Sequence, residues 1–269
     1  MRKKIGFIGA GNMGSAMIKG IIAYGLASKD EVIASCHTQE TKEKLSSELG
    51  IEMTLDNKEA ADAEIVFFAV KPAVLPGVAA EVKDVLNTEQ LIISVAAGFD
   101  LKKLHAILGD ELHIVRTMPN TPAMVGEAMS ALCADDKVSE DQKKQALELF
   151  NSFGKAEFVD EKLIDAVTGV SGSSPAFVYI IIEAMADAAV AEGMPRKQAY
   201  IFAAQSVLGS AKMVLETGKH PGELKDAVTS PAGTTIEGVA ALERDGMRAA
   251  MIDAVRTASK KSKEMQSKN

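Results

Sequence analysis

Apolar and polar positions follow two different rhythms along this chain. Residues 5–8, 31–34, 65–70, 91–95 and 112–116 are short apolar runs, as buried parallel strands require. Residues 129–133 and 156–159 are candidates for edge strands. Helical spacing predicts helices through 16–22 and over 38–49, 74–86 and 139–153. Strands alternating with helices in this way predict a doubly wound sheet covered on both faces. From about residue 163 the rhythm changes and helical spacing dominates. Ser174, as an N-cap before Pro175, opens a helix to about residue 192, where Gly193 can end it; Pro195 starts another that runs to about 217. The expected fold is α/β: an N-terminal Rossmann-like doubly wound sheet over residues 1–162, then an all-α domain over 163–269.

The two long helices are rich in Ala, Ile, Val and Met, and the first has few polar residues on any side. A helix apolar nearly all round must be buried, and a helical segment of this size cannot easily bury two of them. Packing against a second chain is the expected solution, which makes the C-terminal domain a dimerisation domain. Burial against the chain's own first domain is the alternative.

Within the first strand-to-helix transition, Gly9, Gly11 and Gly14 form G-x-G-x-x-G in the sequence IGFIGAGNMG. Strand, glycine turn and helix are the context that a dinucleotide fingerprint needs. Gly9 permits the tight turn, Gly11 lets the backbone approach a pyrophosphate, and Gly14 lets the helix pack close to the strand. The second strand ends in Ser35, Cys36, His37 and Thr38, without the carboxylate that would grip the ribose hydroxyls of NAD. That favours NADP. No arginine stands there for the extra phosphate, so Ser35, His37, Thr38 or Lys42 would have to serve.

Composition narrows the remaining classes. The chain has 269 residues, 47% of them apolar, and a net charge of −7; no basic block lies beside aromatics, which argues against a nucleic-acid surface. The basic tail over 260–268 reads as the frayed end of a helix. No apolar run looks long enough to span a membrane, and the glycine fingerprint argues against reading the N-terminus as a signal peptide. Cys36 and Cys133 stand apart, which suits a reduced cytoplasm. His37, His105, His113 and His220 lack ligand spacing, so no metal is expected.

Residues 226–235, DAVTSPAGTT, carry the other candidate site. Ser230, Thr234 and Thr235 crowd hydroxyls around a Pro231-Ala232-Gly233 turn, and a helical run follows over 236–242. Such a turn is either an ordinary N-cap or a place where N–H groups and hydroxyls await an anion.

Taken together, IGFIGAGNMG (5–14), AVKP (69–72), VAAG (95–98), MPNTP (118–122), DAVTGVSGSSPAF (165–177) and HPGELKDAVTSPAGTTIEG (220–238) resemble the pyrroline-5-carboxylate reductases from end to end. The resemblance implies hydride transfer from NADPH, with NADH possible, to the imine carbon of 1-pyrroline-5-carboxylate, giving L-proline. It implies a diphosphate held by Gly9, Ala10, Gly11, Asn12, Met13 and Gly14, with Ser35 at the adenosine ribose and Asn57 also on the cofactor. Ala69, Val70, Lys71 and Pro72, with Val95, Ala96 and Ala97, would line the ribose and nicotinamide. Ser230, Gly233, Thr234 and Thr235 would receive the substrate, with Thr235 as the catalytic residue on the ring nitrogen. The helical domains would intertwine into homodimers able to assemble further, as in a ring of dimers. Ala232 departs from a glycine in many members, and is compatible with the turn if it avoids positive φ.

Two other functions share parts of this pattern. A 3-hydroxyacid dehydrogenase or imine reductase of the same architecture also carries GxGNMG, but residues 171–178 lack the helix lysine of the former. A non-catalytic NADP(H) sensor would need an effector element that the sequence does not display.

Overall fold

The computed structural model describes residues 2–268, with side chains through Gln266. Its strands are β1 (Ile5–Ile8), β2 (Val32–Ser35), β3 (Glu52–Thr54), β4 (Ile65–Phe68), β5 (Leu91–Ser94), β6 (His113–Met118), β7 (Ala128–Ala134) and β8 (Gly154–Phe158). They form one sheet in the order β3-β2-β1-β4-β5-β6-β7-β8. The first six are parallel, β7 runs antiparallel to β6, and β8 is parallel to β7. The helices of this region are α1 (Asn12–Tyr24), α2 (Gln39–Leu49), α3 (Asn57–Ala61), α4 (Leu75–Val82), α5 (Leu101–Leu108), α6 (Glu140–Asn151) and α7 (Ile164–Val167).

Strands buried on both faces explain the continuous apolar runs. One face packs Met17 and Ile21 of α1, Leu45 of α2 and Phe150 of α6 against Phe7 and Phe67, whose rings stack at 4.4 Å. The other packs α3, α4 and α5 against Ile8, Val66, Phe68 and Ile92. Gly6 brings α3 onto β1 directly, since a Cβ there would lie 1.9 Å from the Ala60 carbonyl oxygen. Side-chain caps start several helices: Thr38 accepts from the Thr41 amide, Asp56 from Lys58, Asp100 from Lys103, and Ser139 with Gln142 forms a capping box.

Three elements lie outside the sequence-based expectations: β3, α3 and α5. The first two are too short to establish a period. The third was legible, with Leu101, Leu104 and Leu108 on one buried face. The helix expected over 74–86 is a 3-10 turn, Pro72–Val74, followed by α4; a three-residue bond from the Val85 amide to the Val82 carbonyl turns the chain out of the helix.

The chain forms two compact units: Met1–Gly172 with Thr257–Asn269, and Ser173–Arg256. Residues 161–172 belong with the sheet because Ile164 is buried in its core, Glu161 pairs with Arg116 at 2.8 Å, and Asn120 Nδ2 donates to the Ser171 carbonyl at 2.9 Å. The basic tail is not a frayed end. It is helical to Lys268, and Asp165 holds it: Ser259 Oγ donates to the Asp165 carbonyl, while Ser262 Oγ and Gln266 Nε2 donate to its carboxylate. Lys103 Nζ donates to the Gln266 carbonyl as well.

The second unit contains α8 (Ser174–Ala191), α9 (Arg196–Thr217), α10 (Pro221–Ala227), α11 (Thr234–Arg244) and the first part of α12 (Met247–Lys268). Ser173, one residue earlier than expected, precedes α8, with Pro175 in its second position and no side-chain cap. Gly193, at φ +95, and Pro195 separate α8 from α9 as expected. These two helices meet through Ala186, Ala199 and Ala203, a cluster too small to bury the rest. Tyr179, Ile180, Ile201 and Phe202 are each about 60% exposed, from 59% to 66%.

One continuous helical stretch, Glu161–Ala191, is long and apolar enough to cross a membrane by length and composition alone. That corrects the expectation that no run reached this length. Short helical turns over 161–172 run directly into α8, where the glycines and serines of 169–174 read as a break in the sequence.

Candidate functional site

Parallel strands place their carboxyl ends along one edge, and β1 lies where the order reverses, between β2 and β4. Ligands of open α/β sheets bind at such a switch point. Three of the expected segments leave from this edge. Gly9 follows β1 at φ +95, and a Cβ on it would lie 2.8 Å from Val70 and 3.1 Å from the Ala69 backbone. Ala69 and Val70, after β4, therefore pack against the glycine turn. Gly14 faces the Gly9 carbonyl oxygen, 2.5 Å from where its Cβ would be, and so sets the approach of α1 to β1. Val95, Ala96 and Ala97 follow β5, with Ala96 buried.

The α1 N-terminus fits a diphosphate on its own geometry. Its N-cap is Gly11, with no side-chain cap and no acidic residue in the first turn. The N–H groups of Asn12 and Met13 thus stand without a carboxylate or hydroxyl competitor, where the helix dipole favours an anion. A Cβ on Gly11 would meet nothing within 4 Å; the backbone there faces open space rather than a packed neighbour. Beside the turn lies a cleft of ≈ 410 Å³, lined by Ala10, Gly11, Asn12, Lys19, Thr41 and Met124.

Behind the turn the side chains are already committed to one another. Ser35 has 0% exposure; its Oγ accepts from the Gly9 amide at 3.3 Å and donates to Asn57 Oδ1 at 2.7 Å. Asn57 Nδ2 in turn donates to Glu81 Oε2 at 2.8 Å. Of the groups that could meet a ribose phosphate, Thr38 caps α2, His37 is exposed and Lys42 is half-buried. Lys71 is exposed and precedes the 3-10 turn that Pro72 opens.

Ser230, Gly233, Thr234 and Thr235 belong to the second unit. The Gly233 amide donates to the Ser230 carbonyl at 3.1 Å, closing a turn through Pro231 and Ala232. Ala232 stands at φ +55, the one non-glycine residue at positive φ among those described. The expectation that it would avoid positive φ is therefore corrected: the turn needs a left-handed third residue, as in a type II turn after proline. Gly233 is the N-cap of α11, without a side-chain cap. A Cβ on it would lie 2.2 Å from Ser230 Oγ, so glycine keeps that hydroxyl over the helix end. Ser230, Thr234 and Thr235 are exposed.

Two residues escaped the sequence reasoning. Glu81 carried no signal, because a lone glutamate on an amphipathic helix is usually only solvated. Asn120 did: a buried Asn within MPNTP must satisfy both ends of its amide. Its Oδ1 accepts from the Met129 amide at 2.9 Å, opposite the bond to Ser171.

Comparison with known proteins bears on both halves. Residues 161–265 match the family model for pyrroline-5-carboxylate reductase dimerisation, and residues 4–98 match that for NADP oxidoreductase, coenzyme F420-dependent. A pyrroline-5-carboxylate reductase of Escherichia coli strain K12 is 48% identical over 98% of this chain and 99% of its own. The chain belongs to the pyrroline-5-carboxylate reductase family. Among solved structures, that of the Coxiella burnetii reductase matches with a TM-score of 0.91 at 34% identity, covering 98% of this chain and 99% of that one. The Plasmodium falciparum pyrroline carboxylate reductase, solved with NADP bound, matches at 0.88 and 33%, covering 98% of each. The apolar stretch 161–191 falls within the region matched by the family's dimerisation model, and α8 and α9 carry exposed apolar side chains.

Proposed function

We propose that the chain is a reductase that transfers hydride from NADPH, with NADH as a possible substitute, to the imine carbon of 1-pyrroline-5-carboxylate. The observation that carries this is the pair of uncapped helix ends, α1 behind a glycine turn and α11 behind a hydroxyl turn, in a chain of this family. When bound, the nicotinamide supplies the hydride. Gly9, Ala10, Gly11, Asn12, Met13 and Gly14 hold the diphosphate; Ser35 and Asn57, expected at the adenosine ribose and on the coenzyme, act instead from behind the turn, because Ser35 is wholly buried. Ala69, Val70, Lys71 and Pro72 with Val95, Ala96 and Ala97 line the ribose and nicotinamide. Functionally, we assign coenzyme binding to residues 1–162, and dimerisation and substrate binding to residues 163–269.

The substrate carboxylate suits the α11 N-terminus, where a helix end contributes roughly 0.3–1 kcal/mol, more when partly buried. Ser230 and Thr234 add hydroxyl donors, and charge-assisted bonds are the stronger kind. A threonine hydroxyl cannot store a proton at neutral pH, so Thr235 orients the ring nitrogen and relays a proton to it. The protein then works mainly by alignment of imine carbon and coenzyme. We further propose homodimers through α8 and α9, with a ring of dimers as the next level of assembly. A cytoplasmic setting goes with the two unpaired thiols, Cys36 and Cys133; burial pushes the latter up to about 12.

NADPH absorbance followed with 1-pyrroline-5-carboxylate tests the activity. Turnover should favour NADPH, and Thr235→Ala should lower kcat by ~100-fold, the lower range for a positioned proton-transfer group. Coenzyme binding without turnover by the wild-type protein would refute the substrate assignment.

A further inference from the structure

The bonds behind the glycine turn have a direction, set by their outermost member. An ionised carboxylate can only accept, so Glu81 Oε2 requires the Nδ2 end of Asn57. The amide's other end, Oδ1, then faces Ser35 and can only accept, so the Ser35 hydroxyl must donate to it. With its proton committed, Ser35 Oγ turns a lone pair to the Gly9 amide. Charge on α4 is thereby transmitted through two side chains, Asn57 and Ser35, to the residue that bends the chain into the fingerprint.

Resting on the coenzyme-site assignment made above, we propose that Glu81 is a positioning residue for coenzyme binding: through Asn57 and Ser35 it orders the Gly9 turn. Glu81 itself is exposed on α4 and touches the turn only through these partners. Its effect falls on the backbone that would cradle the diphosphate, which NADPH and NADH share. Loss of Glu81 therefore weakens both coenzymes by the same factor.

The neighbouring pair supplies a control. Lys58 Nζ meets Asp84 Oδ2 at 2.8 Å and ties the same α3 region to the segment after α4, but it has no bond onward to Ser35 or Gly9. If the α3–α4 tie were all that mattered, breaking Lys58–Asp84 would act like breaking Asn57–Glu81. A second control is chemical. In Glu81→Gln a carbonyl oxygen can replace the carboxylate as the acceptor from Asn57.

The test measures Kd for NADPH and for NADH by the change in coenzyme fluorescence, with Tm and steady-state constants, on wild type, Glu81→Ala, Glu81→Gln and Asp84→Ala. Glu81→Ala should weaken both coenzymes by about threefold to tenfold, the range of one hydrogen bond transmitted through a network. The NADPH/NADH ratio, the KM for the imino acid and kcat should stay within about twofold of wild type, less than the loss of one such bond. Glu81→Gln should recover most of the affinity, and Asp84→Ala should bind both coenzymes as wild type does. Unchanged affinity in Glu81→Ala, an equal loss in Asp84→Ala, or a changed coenzyme ratio would each overturn the relay. Wild-type protein that binds neither coenzyme would instead overturn the coenzyme-site assignment on which the relay depends.

Discussion

The two compact units solve the same local problem with different means. In each, a helix starts without a side-chain cap behind a residue of positive φ: α1 behind Gly9, at φ +95, and α11 behind Ala232, at φ +55. The first is built from glycine and backbone, and has no acidic residue in its first turn. The second is built from hydroxyls, and carries Glu237 in its first turn. A diphosphate is large and doubly charged and needs close backbone approach over several N–H groups. One carboxylate on a small ring needs fewer donors, and must leave again with the product; overly tight ground-state binding would not speed the chemistry. The units differ in packing too. The first buries Phe7, Phe67 and Phe150 completely, whereas the second leaves Phe202 at 66% exposure.

Glycine substitutions break the first turn in two separable ways, and here the effects should be largest. Gly14→Val drives a side chain into the Gly9 carbonyl oxygen, 2.5 Å from the new Cβ. Displacing the turn should remove at least one amide bond to the diphosphate, about 1.5–3 kcal/mol, or ~10- to 150-fold in NADPH affinity, with a lowered Tm. Gly11→Ala adds a methyl where no atom lies within 4 Å. Its Tm should match wild type, while coenzyme Kd rises ~10-fold because the methyl occupies the surface that approaches the pyrophosphate. A lowered Tm in Gly11→Ala, or normal coenzyme binding in Gly14→Val, would contradict this division of roles.

Packing can be tested at Phe202. A charge placed on this exposed apolar position should weaken subunit association; at a central position of an interface the loss is ~2 kcal/mol, about 30-fold in Kd. Phe202→Asp should therefore shift the dimer toward monomer in light scattering after size exclusion, at micromolar concentration. An unshifted mass would show that this face of α9 lies outside the interface.

These contrasts were unequally legible in the sequence. Strands β1, β4 and β5 declare themselves because both faces are buried, so nearly every residue is apolar. The G-x-G-x-x-G spacing is equally plain, since each glycine answers a separate steric demand. Edge strand β3 and the five-residue α3 leave no period to detect. Ile164 and Asp165 look like the start of a helical domain, while their side-chain contacts lie with the sheet and with the end of α12, and no local pattern reports partners that distant. Glu81 was invisible for a related reason. Its meaning comes from Asn57, 24 residues earlier, and nothing in the spacing of an exposed glutamate reports a partner that distant. Ala232 was misjudged because alanine argues against positive φ, and the preceding proline with the closed Ser230–Gly233 turn overrides that preference.

Ala232 also offers the finest way to compare the two turns. An alanine in the left-handed region costs about 1–2 kcal/mol relative to its relaxed state, a strain that Gly9 avoids. Ala232→Gly removes the strain but returns about 0.4–1 kcal/mol through the freer unfolded chain. The net gain should be ~0.5–1 kcal/mol, a rise of roughly 1–4 °C in Tm for a protein of this size. Gly233→Ala is the opposing substitution. Its Cβ meets a side-chain oxygen, Ser230 Oγ, that can rotate away, so the fold should survive while the KM for the imino acid rises. If Ala232→Gly raises Tm and leaves that KM unchanged, the second turn works like the first, as a shape any unstrained residue could provide. If Tm rises while KM also rises, the alanine serves the site by stiffening it, and the strain belongs to substrate binding.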